Sequence, residues 1–266
     1  MNKSRDLYLL FLVILLFWAL SAFLLISIDS DPQSRGLWGD MFGGINALFS
    51  GFAFAGIIYT IHLQEKEIQD GKREAKITRG ILQKQNFEET FFRLLKHHDE
   101  VIQSINVEAY VKKKEFGKET SGVKPLNGLK CFDYFTNRYE FWYNDYKGKH
   151  RTQRSRDSFC FEKAVRCSYE NFYEDYQFEL GPYFSLLYEI ALYVKKYPIE
   201  NKKQYFNFLR AKLSCNEMLM LFYHCTSEKE KNFKLIIEEF CLFSGLSIHL
   251  LIDDNHRSLY REEAFF

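Results

Sequence analysis

The sequence predicts an all-α protein, in which an N-terminal two-helix transmembrane hairpin is joined by a helical stalk to an all-helical cytoplasmic domain. Two long apolar segments open the chain, and apolar residues then recur at three- and four-residue steps along most of it. No segment alternates with period two for long enough to indicate a sheet. The 266 residues are 47% hydrophobic with a formal charge of +1. This balance disfavours a broad nucleic-acid-coating surface, so any basic site has to be local.

The first apolar segment, residues 7–28, contains no charged residue. As a helix it would be about 33 Å long, close to the thickness of the hydrocarbon core of a bilayer. A cleavable signal peptide would need a shorter apolar region and a small-residue cleavage site, and neither is present. A second apolar segment follows at about residues 42–63. Residues 1–63 are therefore predicted to cross the lipid bilayer twice.

Charges beside the two segments predict the orientation of the hairpin. Lysine or arginine precedes the first segment and follows the second, at Lys3, Arg5, Lys66, Lys72, Arg73 and Lys76. The connecting loop has three acids, Asp29, Asp31 and Asp40, and one base, Arg35. By the positive-inside rule both termini are cytoplasmic, and Trp38 lies where an interfacial aromatic residue is expected.

Beyond the hairpin, the sequence predicts a helical stalk and first body helix at 64–105 and a helical cytoplasmic domain at 106–266. The apolar pattern lapses within that domain at 106–130, where glycine and proline predict an irregular insertion. Later helices are predicted at 159–178, 181–197, 205–223 and 233–252. Pro182 is expected to start the second of these helices, because proline is preorganised for the first helical position, and Pro198 is expected to end it.

Several blocks of the sequence resemble one protein family. Residues 39–68, GDMFGGINALFSGFAFAGIIYTIHLQEKEI, look like the signature of the AbiC-like family of phage abortive infection proteins. Supporting blocks follow in family order: FEETFFRLLKHHDEVI at 87–102, LGPYFSLLYEIALYV at 180–194, YFNFLRAKLSCNEMLMLFYHC at 205–225 and the ending EEAFF. The resemblance implies a multi-pass protein of the bacterial inner membrane that harms or arrests the infected cell.

The same resemblance bears on partners and chemistry. The family includes two-transmembrane effectors encoded beside retron reverse transcriptases. A reverse transcriptase with its noncoding RNA or DNA is therefore an implied partner, and a standalone protein is equally compatible with the resemblance. The family supplies no catalytic residue, and we expect no enzymatic activity, no cofactor and no metal.

Small residues occupy one face of the second apolar segment. Gly43, Ala47, Gly51 and Ala55 are spaced by four residues, and the polar Asn46 lies beside them. We call these five residues the small-residue strip. Helices in lipid associate through close packing and interhelical hydrogen bonds, and small residues allow backbones to approach. The strip could pack against the first helix of the same hairpin, or it could join subunits of a homo-oligomer.

These features lead to a hypothesis about mechanism. The small-residue strip would let several hairpins assemble into a lesion that permeabilises the inner membrane once the cytoplasmic domain is triggered. Asn46 would hydrogen-bond a neighbour or, as part of a ring of amides, line a polar pore. A non-enzymatic membrane anchor for a sensor is an alternative function.

Arg93 and His98 suggest a further alternative, a membrane-tethered HEPN-like ribonuclease. Four residues separate them, a spacing that HEPN ribonucleases use. In such a pair, the arginine can hold a phosphate while the histidine moves a proton. However, Leu94 stands where those enzymes carry a polar residue. Both residues could instead line the polar side of a helix whose opposite side is core.

A basic run follows the aromatic-rich segment near residue 140. It consists of Lys147, Lys149, Arg151, Arg154 and Arg156, with no acid among them. The basic run could bind the phosphates of a nucleic acid or of a nucleoprotein partner, with the flanking Tyr143, Tyr146 and Phe159 stacking on bases. It could also be a solvated loop or contact anionic lipid headgroups.

Overall fold

The computed structural model describes residues 3–28, 32–115, 118–151 and 160–266. As predicted, the chain is mostly helical. It forms two compact units, Met1–Arg79 and Gly80–Phe266. The helices are α1 (Lys3–Ile28), α2 (Pro32–Ser104), α3 (Lys130–Arg151), α4 (Phe161–Lys196), α5 (Lys202–Lys212), α6 (Cys215–His224) and α7 (Lys231–Phe240). Short 3₁₀ turns are found at Glu228–Glu230, Ile248–Leu250, Asp254–Leu259 and Glu262–Phe265.

The first unit contains α1 and the first part of α2. Proline at the first position of α2 is favourable, because the missing N–H would have no partner there and the fixed φ suits a helix. Among the described residues, α2 from Phe42 onward is long and apolar enough to span a membrane. In α1 the described apolar portion is the shorter Leu12–Ser21. Two crossings with cytoplasmic termini stay a prediction, since the loop residues Asp29 and Asp31 lie outside the described residues.

The prediction of an irregular insertion at 106–130 is wrong. Strands β1 (Asn106–Glu115) and β2 (Lys118–Asn127) pair as an antiparallel hairpin, with Val107 opposite Leu126. A period-two signal exists in β1, where Val107, Ala109 and Val111 alternate with other residues, but three consecutive lysines then interrupt it. Pro125 is compatible with β2 because each strand of a two-stranded sheet has an unpaired edge.

The predicted break between two helices is present, but it is displaced. The helical run α4 consists of two helices joined at a kink at Tyr176 (φ −124°, ψ 17°), six residues before Pro182. Proline lacks an N–H to donate to the preceding turn, and its ring crowds the carbonyl there. Pro182 lies inside the second of the two helices and does not start it.

The predicted helix at 205–223 is two helices, α5 and α6. A capping box separates them: the Ser214 hydroxyl accepts from the Glu217 N–H (3.3 Å), and the Ser214 N–H donates to Glu217 Oε2 (2.8 Å). This box supplies hydrogen-bond partners at the start of α6 that a continuous helix would not need. The S-x-x-E spacing of Ser214 and Glu217 was the sequence signal for the break.

The predicted helix at 233–252 ends early, at Phe240. Cys241 adopts the left-handed conformation (φ 55°), which stops helical propagation. The Leu242 N–H then donates to the Ile237 carbonyl at 3.1 Å, as in a Schellman ending. Gly245, with φ 97°, continues the change of chain direction.

Aromatic side chains build the core of the second unit. The Phe87 ring of α2 lies 5.1 Å from Tyr193, 4.9 Å from Tyr197 and 4.8 Å from Tyr205, measured between ring centroids. Such pairs add about 0.5–1.5 kcal/mol each beyond the burial of their area. Phe87 is fully buried, so the last turns of α2 are held against α4 and α5.

Replacing Ser214 with alanine tests the capping box. The variant removes the acceptor for the Glu217 N–H, so we expect the free energy of unfolding to fall by about 1 kcal/mol. Denaturant unfolding of the full-length chain in detergent, followed by circular dichroism, measures this loss. Ser247→Ala is the matched control, because Ser247 also precedes a helical turn but its side chain makes no cap hydrogen bond. Equal losses in the two variants would contradict the role of the box.

Candidate functional site

The small-residue strip is exposed along its whole length in α2. A Cβ atom built on Gly43 or Gly51 would meet no atom within 4 Å outside its own helical turn. Ala47, Ala55 and Asn46 are exposed as well. Within the described part of the first unit, no contact with α1 covers this face.

Large apolar side chains around the strip are also uncovered. Phe49 and Phe52 each expose 66% of their surface, and Tyr59 exposes 71%. None of the residues in the most apolar stretch of α2 is buried within the protein. Soluble monomers rarely expose an apolar surface of this extent, so α2 differs from the core helix of a soluble domain.

Arg93 and His98 do not face a common surface. Arg93 is exposed, whereas His98 is fully buried, with its ring 5.0 Å from that of Tyr183. Positions five residues apart on an α-helix differ by roughly 140° in direction, which accounts for the separation. Neither His98 ring nitrogen has a hydrogen-bond partner among the described residues, and burial lowers the pKa of His98 to about 4. The pair is therefore poorly arranged for holding a phosphate and moving a proton together.

The described cations of the basic run are matched by acids. Lys147 Nζ lies 3.6 Å from Asp253 Oδ2, and Lys149 Nζ lies 2.7 Å from Asp145 Oδ2. Arg154 and Arg156 lie outside the described residues, as does the side chain of Arg151.

Tyr143, which we expected to stack on bases beside the basic run, lies inside the second unit. It is buried and hydrogen-bonded to His256 Nε2 at 3.1 Å. That burial leaves no exposed ring face for a base, so Tyr143 is a core residue.

A buried carboxylate, which sequence reasoning missed, lies at the centre of the second unit. Glu217 is fully buried, and the Tyr183 hydroxyl donates to its Oε1 at 3.0 Å. Its other oxygen, Oε2, accepts from the Ser214 N–H in the capping box. Both oxygens of Glu217 thus have donors, as a buried carboxylate requires. Burial is the main cause that raises the pKa of Tyr183 well above its usual value, and the nearby carboxylate of Glu217 raises that pKa further.

His256 joins three parts of the same unit. Its Nδ1 lies 3.0 Å from the Tyr223 hydroxyl of α6, and its Nε2 contacts Tyr143 of α3. The Ile252 N–H also donates to the Tyr223 hydroxyl at 3.0 Å. Burial lowers the pKa of His256 to about 4, so the ring is neutral and can donate at one nitrogen while accepting at the other.

His224 lines a cleft of about 670 Å³ together with Tyr169 and Glu230. Its Nδ1 hydrogen-bonds the Tyr169 hydroxyl (3.1 Å), its ring stacks on Phe184 at 3.8 Å, and its Nε2 lies 3.8 Å from Glu230 Oε1. Burial lowers the pKa of His224 to about 3 and raises the pKa of Glu230. A histidine with so low a pKa is a weak base at neutral pH. No cluster of three metal-ligating side chains occurs in the described part of the chain.

Three of these buried polar residues lie in a segment that matches a protein family. A family model described as "Putative phage abortive infection protein" matches residues 175–250. This match supports the resemblance to the AbiC-like family over that segment of the chain. The AbiC-like segment begins at the kink of α4, contains α5, α6 and α7, and includes Tyr183, Glu217 and His224. No curated protein and no solved structure matches the chain.

The buried histidines make the stability of the chain depend on pH. His98, His224 and His256 have folded pKa values of about 4, 3 and 4, against 6.5 for a free histidine. The unfolded chain therefore binds more protons than the folded chain below pH 6.5, and stability is lost as the pH falls through that value. At pH 5 each histidine should cost on the order of 2 kcal/mol.

Denaturant unfolding of the full-length chain at pH 7.5 and pH 5 measures this loss. His98→Phe should reduce the pH dependence, because His98 makes no side-chain hydrogen bond and a phenyl ring can replace it against Tyr183. His97→Phe is the matched control, since His97 is exposed. An unchanged pH dependence in His98→Phe would refute the assignment of this histidine.

Proposed function

We propose that the chain is an inner-membrane effector of abortive infection, which acts without enzymatic chemistry by breaching the membrane of the infected cell. The observation that supports it most is the apolar part of α2, whose large side chains and small-residue strip are uncovered in the described structure. The match to the phage abortive infection family supplies the biological setting. The breach and its location at the inner membrane are our proposal.

Lipid is the environment that this part of α2 fits. Exposed phenylalanine, leucine and isoleucine side chains would order water at a large free-energy cost, and a hydrocarbon environment removes that cost. The backbone is also suitable, because an α-helix satisfies its own hydrogen bonds and so can lie in a bilayer. The helix continues beyond the apolar part into residues rich in charge, which belong outside the hydrocarbon region.

The small-residue strip provides a contact surface for a second copy of α2. Two helices meeting at Gly43, Ala47, Gly51 and Ala55 can bring their backbones close, which strengthens van der Waals packing in lipid. Asn46 could add an interhelical hydrogen bond of about 1–2 kcal/mol or less. We therefore propose a homo-oligomer in which neighbouring hairpins assemble through this face.

A trigger could act through α2 itself. The apolar part and the buried Phe87 belong to one continuous helix, and Phe87 is packed among aromatic residues of the second unit. A partner or phage component that alters this packing would thereby act on the helix that enters the lipid. A retron reverse transcriptase with its noncoding RNA or DNA is one such partner, proposed from the family resemblance alone.

The ribonuclease alternative has no supporting contact in the structure, since Arg93 and His98 point in different directions. A membrane anchor that only positions a sensor is the more serious competitor, because it needs the same apolar helix. The two differ in one respect: only an effector that breaches the membrane requires the small-residue strip to drive assembly.

Gly51→Leu tests the strip. The added side chain keeps the helix apolar but prevents close backbone approach, so we expect loss of both phage protection and depolarisation of infected cells. A membrane-potential dye measures the depolarisation, and total RNA should stay intact in the wild type. Gly71→Leu is the matched control, because Gly71 lies in the same helix with equally open surroundings but beyond the apolar part. Unchanged depolarisation in Gly51→Leu, at equal protein level in the membrane, would refute the proposal.

A further inference from the structure

A cleft with an excess of positive charge lies between α4, α7 and the C-terminal segment of the second unit. It has a volume of about 470 Å³, within the range of small-molecule sites. Its cations are Arg166, Lys231, Lys234 and Arg261, and the hydroxyl of Ser227 lies at its edge. We call it the basic cleft.

The acids of the basic cleft neutralise only part of this charge. Arg166 Nη1 lies 2.8 Å from Glu228 Oε1, and Arg261 Nε lies 3.7 Å from Glu238 Oε2. The other two cations of the cleft, Lys231 and Lys234, form no ion pair with a carboxylate of the described residues. Lys234 Nζ donates to the Leu259 carbonyl at 2.6 Å and lies over the Tyr260 ring at 4.8 Å, neither of which carries a negative charge.

Lys231 is the more available of the two lysines. It has no ion pair and no side-chain hydrogen bond in the described part of the chain. Lys231 is the first residue of α7 and precedes Lys234 by three residues, about one helical turn. Side chains spaced by three or four residues lie on the same face of a helix. The α7 helix therefore directs both lysines to the basic cleft.

Arg166 contributes a donor that the protein does not use. Its Nε is buried and has no hydrogen-bond partner among the described residues. A guanidinium presents its donors as a rigid fork that matches the oxygens of a phosphate or carboxylate. Glu228 contacts Nη1 of that fork, and 40% of the Arg166 side chain is exposed, so the guanidinium can still contact a second anion.

We propose that the basic cleft binds a phosphate-bearing anion through Arg166 and Lys231, with the Ser227 hydroxyl as a neutral donor. A free phosphorylated small molecule and the headgroup of an anionic phospholipid share this chemistry. The inference concerns the second unit alone and does not depend on membrane breach.

Pyrophosphate binding to the full-length chain in detergent, measured by isothermal titration calorimetry, tests the inference. We expect saturable binding that weakens with added salt, because it depends on charge. Lys231→Gln and Arg166→Gln should each weaken binding about tenfold, the loss of one charge-assisted hydrogen bond. Lys231→Arg should bind within about threefold of the wild type, which separates loss of charge from loss of folding.

Lys229→Gln is the matched control. Lys229 carries the same charge two residues away, but it lines the neighbouring cleft of His224 rather than the basic cleft. Vesicles of phosphatidylglycerol that compete with pyrophosphate would identify a lipid headgroup as the source, and failure to compete would identify a free phosphate compound. Absence of saturable binding to the wild type would overturn the inference, as would equal losses in Lys229→Gln and Lys231→Gln. Neither result would bear on depolarisation by the wild type.

Discussion

The exclusion of water from the apolar part of α2 is the constraint on which this account rests. That part of the helix presents large apolar side chains on every face, and the described residues of its own unit do not cover them. Water is an unfavourable environment for such a helix, whereas lipid tails or a second copy of the helix can cover its surface. Gly43, Ala47, Gly51 and Ala55 reduce side-chain volume along one continuous line of the helix, as expected where another backbone approaches.

The second unit has the opposite character, with polar groups placed inside and several of them paired with each other. Glu217 receives donors from Tyr183 and Ser214, and His256 lies between Tyr223 and Tyr143. Such networks favour one packing arrangement because each group would be costly without its partner. His98 lacks such partners: it is a buried ring without hydrogen bonds to the described residues, beside Tyr183. The aromatic contacts of Phe87 hold the end of α2 against this unit, so a change in its packing can reach the helix directly.

Features that depend on local periodicity could be predicted from the sequence. The helical class and the long apolar helix follow from such patterns, whereas the family was indicated by the resemblance of sequence blocks. The β-hairpin was missed because lysines and Pro125 conceal its alternation, and the α5–α6 break was missed although Ser214 and Glu217 signalled it. The burial of His98 depends on tertiary contacts that a helical pattern does not contain. Likewise, the basic cleft joins Arg166 to Lys231, residues distant in sequence that only the fold brings together.

Extraction of membranes from cells that express the full-length chain tests the central claim most directly. Alkaline carbonate removes proteins held at the membrane surface by charge, but it leaves proteins whose helices lie in the hydrocarbon core. The account predicts that the chain stays in the membrane pellet under carbonate and is released only by detergent. Recovery of the folded chain in the carbonate supernatant would contradict it, because the apolar part of α2 would then be stable in water.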